Sequence, residues 1–455
     1  MSKIILPANN FEPRWYQLGL WKYLEAGGER AVVVWPRRHG KDLIMMNLSA
    51  WMSQQRVGLY WMVYPFLNQG RRIAWTGMTK EGQKFLDAFP KELRQTQSNA
   101  EMRIELKNGS VFQVMGADQP DKFVGANPVG VVFSEWALMD PYVWDLTLPI
   151  LIENGGWAVF IFTPRGENHG YDKLLEAQED KEWFWSKLTA ADCKVLDKKD
   201  LEKARKQFKD EALFQQEMFT NFSVPLQGAY YETQMKTLRK RKQFTKVLWE
   251  PKLPVHTAWD LGIDDETSIW FYQTFRNEVR LIDFYTNSGE GLLHYVKLLR
   301  SKEYLYGKHY FPHDVEVREL TSGKTRREAL REMGVKAIPV KKISIEDGIE
   351  AVRNLLPRCW FDAVNCKHGI NALQSYRKEK DDLKKTYKNK PLHDWSSHPA
   401  DAFRTLAVSH RDERREYDDR QRTANVKYDI FAPTRKQKPD KKIHSLPGMQ
   451  PFVGS

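Results

Sequence analysis

The chain has 455 residues, 41% hydrophobic and 29% charged, which is enough for two or three domains with sizeable cores and excludes a largely disordered protein. No apolar run approaches the roughly 18 residues of a membrane span, and the first residues do not read as a signal peptide. Cys193, Cys359 and Cys366 are too few and too scattered for a disulfide framework or a zinc site, and the net charge of +12 favours a polyanionic partner, nucleic acid being the commonest.

Near the start, Phe11-Glu12-Pro13-Arg14-Trp15-Tyr16-Gln17 leads into an amphipathic helix ending near Gly27-Gly28. Ala31–Val34 then reads as a buried strand, Pro36-Arg37-Arg38-His39-Gly40 as a tight polar turn, and Leu43–Met46 as the opening of a helix. Strand, turn and helix in this order build a phosphate-binding loop: backbone N–H groups at the helix start, with the helix dipole behind them, hold a polyphosphate. Lys41 would add a point charge for the β/γ-phosphates of ATP, with Arg38, His39, Gly40 and Asp42 lining the loop. Trp35 stands where GxxxxGK[ST] has its first glycine, and Asp42 replaces the hydroxyl that would touch Mg²⁺. Just ahead of such a loop, Gln17 and an aromatic can read and stack on adenine; the same residues also suit a helix packing its aromatic face on a sheet.

Leu59–Tyr64 reads as the next strand, Thr79–Phe89 as a helix, and Met102–Leu106 with Ser110–Met115 as a hairpin around Asn108-Gly109. Val131-Val132-Phe133 is a short buried strand running to Glu135 at its C-terminal tip, where open α/β sheets place their chemistry. Glu135 would polarise a water for attack on the γ-phosphate, while Ser134 occupies the position of the usual Mg²⁺-holding Asp. Trp157–Phe162 ends in Thr163-Pro164-Arg165-Gly166, where Thr163 would sense the γ-phosphate. Lys122, Arg38 and Arg165 are equivalent candidates for a transition-state charge.

Lys181–Phe222 reads as a strand followed by helices, and Pro225 with Gly228 breaks the pattern. The chain therefore divides into an α/β P-loop domain of the ASCE type over 1–225, a basic linker over 226–252 containing the dense run Lys236–Lys242, an RNase H-like domain over 253–410, and a flexible basic tail over 411–455. From Arg420 onward the tail has eight Lys/Arg against two Asp/Glu.

The RNase H-like reading rests on three consecutive strands, Val255–Asp260, Thr267–Tyr272 and Val279–Tyr285, followed by Lys308–Phe311 with Pro312-His313-Asp314. A helix beginning near Ser397-His398-Pro399 carries Asp401 in its first turn. That fold would gather Asp260, Asp314 and Asp401 as hard oxygen ligands for Mg²⁺ or Mn²⁺, two of which activate a water and stabilise the leaving oxygen of a phosphodiester. Asp264, Asp265 and Asp283 are nearby acids better suited to turns or surface, and the Lys-rich stretch Ser375–Asp394 fits a hairpin beside the site.

Together these segments resemble the large terminase subunit of tailed bacteriophages, over about Phe11 to His410. Arg37-Arg38-His39-Gly40-Lys41-Asp42 is similar to its arginine-bearing variant Walker A, Val131–Glu135 to its Walker B strand and Thr163-Pro164-Arg165-Gly166 to its coupling motif. Phe214-Gln215-Gln216-Glu217 with Asn221-Phe222 resembles the end of its ATPase domain, and His398-Pro399-Ala400-Asp401-Ala402-Phe403-Arg404 is the most specific of three metal-binding segments. The resemblance implies an ATP-driven translocase of double-stranded DNA joined to a Mg²⁺/Mn²⁺ endonuclease that cuts concatemers. It further implies a portal ring and a small terminase subunit as partners, and a homo-oligomeric, pentameric ring with an arginine supplied by a neighbour. The setting it implies is the host cytoplasm, docked transiently on the procapsid and absent from the mature virion. A helicase-nuclease of repair or recombination fits the same two sites, and Asp42 with Ser134 would also suit a DNA-binding protein with degenerate ones.

Overall fold

The computed structural model describes residues 6–262, 266–318, 323–381 and 386–410. The expected tail over 411–455, and Asp264 and Asp265, lie outside the described residues. Met1–Ser409 forms one compact unit.

The first sheet contains Arg30–Val34 (β1), Leu59–Tyr64 (β2), Arg94–Ser98 (β3), Arg103–Leu106 (β4), Val111–Gly116 (β5), Pro128–Ser134 (β6), Trp157–Phe162 (β7) and Phe184–Lys187 (β8). Its order is β3-β4-β5-β2-β6-β7-β1-β8, parallel from β5 to β8 with antiparallel β3 and β4 at one edge. One strand, β7, separates the loop-bearing β1 from the acid-bearing β6, which is the ASCE arrangement. The central strands are continuous apolar runs because both faces are covered. In β1, Ala31 and Val33 face one core while Val32 and Val34 face the other. Side chains alternate sides at every residue, so the run must be apolar throughout.

The second sheet contains Phe244–Thr245 (β9), Val255–Asp260 (β10), Thr267–Phe275 (β11), Glu278–Asn287 (β12), Tyr306–Phe311 (β13), Ala337–Pro339 (β14) and Cys359–Asp362 (β15). Its order is β14-β13-β10-β11-β12-β15-β9. β10, β11 and β12 form an antiparallel meander, and β13 and β14 extend it in parallel. This is the RNase H-like topology. The helix that begins at residue 397 lies across one face, with Ala400, Phe403 and Leu406 in the core shared with Trp270 and Leu281. Trp270 Nε1 donates to Pro399 O at 2.9 Å and pins the helix start to β11. Lys378–Asp381 (β16) and Thr386–Pro391 (β17) form the expected hairpin.

Some expectations change. Residues 79–89 are not one helix: Gly82 at φ 84° closes a turn on Thr79 O, Thr79 N bonds to Gln83 O, and only a short 3₁₀ turn, Phe85–Ala88, follows. The stretch 226–252 holds the helix Glu232–Lys240 and β9, and Tyr231, Met235 and Leu238 are packed in the core of the second sheet. Arg239, within the basic run, pairs with Asp172 at 2.8 Å. Asp283 is neither turn nor surface: it sits within β12, 9% exposed, paired with Lys302.

Candidate functional site

Two sites emerge, one at the C-terminal ends of each sheet's strands. In the first, Gly40 at φ 76° caps the helix Lys41–Gln55 and turns the chain out of the loop, with Arg38 also left-handed at φ 66°. Lys41 is buried, and its Nζ donates to Trp35 O at 2.9 Å, Pro36 O at 3.1 Å and Thr163 Oγ1 at 3.2 Å. Burial lowers its pKa, opposed by the charges of Glu135, Asp42 and Glu217. Strands β1, β6 and β7 thus deliver Lys41, Glu135 and Thr163 to one cleft of about 1110 Å³, lined also by Arg38, His39, Gly40 and Asp42.

Glu135 follows β6 in the left-handed conformation, φ 57° and ψ 40°, which is costly for a residue with a Cβ and recurs at functional positions. Its Oε2 is buried with no hydrogen-bond partner among the described residues. An unpaired buried carboxylate oxygen at the cleft is suited to holding a water or another polar group. Asp42 Oδ1 accepts from Tyr64 Oη at 2.8 Å and from Ser134 Oγ at 2.7 Å. His39 is buried, its Nδ1 2.9 Å from Arg37 O, and burial lowers its pKa.

Gln17 does not face the cleft as an adenine reader. It is 2% exposed, accepts from Arg14 N at 3.0 Å and donates to His39 O at 3.3 Å, so it braces the loop from behind. Trp35 also points away from the loop, its Nε1 donating to Ser186 Oγ at 2.8 Å. Of the three candidate cations, Arg38 and Arg165 line the cleft and Lys122 does not. Arg165 Nη1 lies 2.6 Å from Glu217 Oε1, and Arg37 N donates to Glu217 O at 3.0 Å. Buried Glu217, on the helix Glu211–Phe219, therefore ties the loop after β1 to the loop after β7. Nothing local in Phe214-Gln215-Gln216-Glu217 marks this carboxylate as a clamp, because both of its arginine partners are distant in the chain.

The second site surrounds Asp260 at the end of β10. Its Oδ2 lies 2.8 Å from His398 Nδ1. Burial alone would lower the His398 pKa, but its hydrogen bond and attraction to Asp260 outweigh that, and the pKa is raised. Asp314 sits in the 3₁₀ turn after β13, with Oδ1 buried and unpartnered among the described residues; burial and then the Asp260 charge raise its pKa. Asp401, one turn into its helix rather than in the first, accepts from Tyr376 Oη at 3.2 Å and pairs with Arg404 at 2.9 Å. Burial raises its pKa, Arg404 opposes, and Asp260 adds to the rise. Both outer acids thus feel Asp260. Yet among the described residues no group of three or more His, Cys, Asp or Glu side chains stands close enough together to hold an ion. Asp260 is engaged by His398 and Asp401 by Arg404, so the expected closed cage is not preassembled. In donor type the three carboxylates, with the unpartnered Asp314 Oδ1, fit a hard cation. Half-buried Glu266, which accepts from Thr286 and senses His398, also borders this region.

No protein-family model matches the sequence. It is 27% identical over 330 residues to the terminase large subunit of Escherichia phage T5, spanning 66% of this chain and 70% of that protein. The chain resembles the large subunit of a phage terminase. Among solved structures, the large terminase of a thermophilic bacteriophage in complex with ADP aligns over 87% of this chain and 98% of its own, at 16% identity and TM-score 0.41. The large terminase ATPase domain of Thermus phage P74-26 aligns over 48% and 100%, at 20% identity and TM-score 0.40. The SPP1 large terminase nuclease domain with bound Mn aligns over 35% and 86%, at 17% identity and TM-score 0.28. No described helix is long and apolar enough to cross a membrane.

Proposed function

We propose that this chain is the motor and nuclease of viral DNA packaging, hydrolysing ATP to move double-stranded DNA into a procapsid and cleaving concatemeric DNA. The observation that carries the reading is the convergence of Lys41, Glu135 and Thr163 on one cleft, in a chain whose second sheet carries Asp260 at the end of β10 and Asp314 just past β13 and is crossed by the helix bearing Asp401. Similarity to the T5 terminase large subunit supports it.

In this mechanism the loop N–H groups and Lys41 hold the β- and γ-phosphates, and Glu135 orients and polarises the attacking water. Thr163, already bonded to Lys41, senses the γ-phosphate, and Arg165 transmits the change through Glu217. In the nuclease site Asp260, Asp314 and Asp401 would hold Mg²⁺ or Mn²⁺, which supplies a metal-activated water and stabilises the leaving oxygen. Asp260 meets His398 through Oδ2, and Asp401 meets Tyr376 and Arg404 through Oδ1, which leaves the second oxygen of each carboxylate to face a cation. Four lysines against Glu379, which pairs with Lys388 and Lys390, leave the hairpin β16–β17 with positive charge for a phosphate backbone. A portal ring, a small terminase subunit and assembly as a pentameric ring, transiently docked on the procapsid in the host cytoplasm, complete the proposal.

The test separates the two activities. Glu135→Ala should abolish DNA-stimulated phosphate release while leaving Mn²⁺-dependent cleavage of plasmid, and Asp401→Ala should do the converse. Retained turnover in the first variant, or undiminished cleavage in the second, refutes the corresponding assignment.

A further inference from the structure

The two departures in the nucleotide cleft are 92 residues apart in sequence and touch in the fold. In ordinary P-loop enzymes a Ser or Thr opening the helix and an Asp ending the strand share Mg²⁺. Here the helix carries the carboxylate, Asp42, and the strand carries the hydroxyl, Ser134, and Ser134 Oγ donates to Asp42 Oδ1 at 2.7 Å. Each position has lost its usual group, yet the pair retains one carboxylate and one hydroxyl in hydrogen-bond contact. We infer that the Mg²⁺-handling roles of helix and strand are exchanged, with Asp42 supplying the anionic oxygen and Ser134 the hydroxyl that orients it. The inference rests on reading this cleft as a nucleotide site.

Three features support the exchange. Asp42 lies in the first turn of the helix, where the dipole favours a negative charge. Tyr64 Oη donates to the same Oδ1 at 2.8 Å, so two hydroxyls fix the carboxylate. The other oxygen, Oδ2, accepts no hydrogen bond among the described residues, and Asp42 lines the cleft. A cleft decaying by chance has no reason to keep such a pair.

The test measures binding of ATP-γ-S to the full chain in EDTA and across a Mg²⁺ titration. Asp42→Asn keeps an acceptor for both hydroxyls and removes only the charge. It should lose about 10- to 100-fold of the Mg²⁺-dependent gain in affinity, read as the ratio of its own affinities with Mg²⁺ and in EDTA. Asp42→Ser leaves two hydroxyls without a carboxylate, and Ser134→Asp sets two carboxylates against each other; both should lose the gain. The double variant carrying both changes restores the ordinary arrangement and should recover most of it. Unfolding midpoints identify any variant that fails to fold, and the near-isosteric Asp42→Asn then decides. An unchanged Mg²⁺ gain in Asp42→Asn, or a folded double variant no better than the worse single one, overturns the exchange. No binding of ATP-γ-S by the wild type in either condition overturns the nucleotide reading itself.

Discussion

Asp140 lies five residues past Glu135 and faces the second sheet's domain, its Oδ1 3.7 Å from His368 Nδ1 and accepting from Tyr142 N at 2.9 Å. It is 7% exposed, and burial pushes its pKa from 3.8 to about 7. Burial lowers the His368 pKa, so near neutral pH the imidazole is uncharged and offers no compensating cation. The unfolded chain releases this proton near pH 3.8 and the folded chain near pH 7, so the unfolded state binds fewer protons between those values. Stability therefore falls as pH rises through the window and levels off above it. A gap of about three pH units corresponds to a cost of about 4 kcal/mol at pH 8, of which about 1.5 kcal/mol is already present at pH 5. Asp140→Asn keeps the acceptor for Tyr142 N and removes the titration. Chemical denaturation of wild type and variant at pH 5 and pH 8 should show the variant more stable at both, with its advantage growing by about 2–3 kcal/mol at the higher pH. An advantage that is constant across the range, or a variant less stable at pH 8, would show that burial does not raise the Asp140 pKa in the folded chain.

Glu217→Gln removes one charge from a pair whose side chains are 15% and 6% exposed, so about 3 kcal/mol of stability should be lost, read as a lower unfolding midpoint together with slower ATP turnover. Turnover unchanged in the folded variant would disconnect Arg165 from the phosphate site. Trp270→Phe leaves Pro399 O without its donor and should cost about 1–3 kcal/mol, lowering plasmid cleavage more than phosphate release, because the loosened helix carries His398 and Asp401. Equal losses in both activities would indicate global destabilisation instead.

The central strands of the first sheet are legible in the sequence because burial on both faces demands unbroken apolar runs. β1, β2 and β7 follow that rule. β3 does not, since Arg94–Ser98 is a largely exposed edge strand with no apolar pattern to announce it. The span 79–89 carries enough apolar residues to suggest a helix, yet Gly82 in a left-handed turn overrides the periodicity. Lys41, Glu135 and Thr163 could be read from strand ends because each is fixed by its own strand. Gln17 could not: whether it braces the loop or faces a ligand depends on a contact with His39 across the turn. The Asp42–Ser134 contact and the Glu217 clamp are likewise products of chain crossing. Local pattern holds no record of which strand tip ends beside which helix start.

The lysine of the phosphate loop rests on three oxygens of its own protein, one of them the Thr163 hydroxyl. On the proposed reading, an incoming polyphosphate would have to win this ammonium from existing acceptors, exchanging old bonds for new ones. Thr163 loses a donor in that exchange. On the proposed reading, the tip of β7 would register whether the seat is taken at the moment of docking, before any bond in the guest has broken.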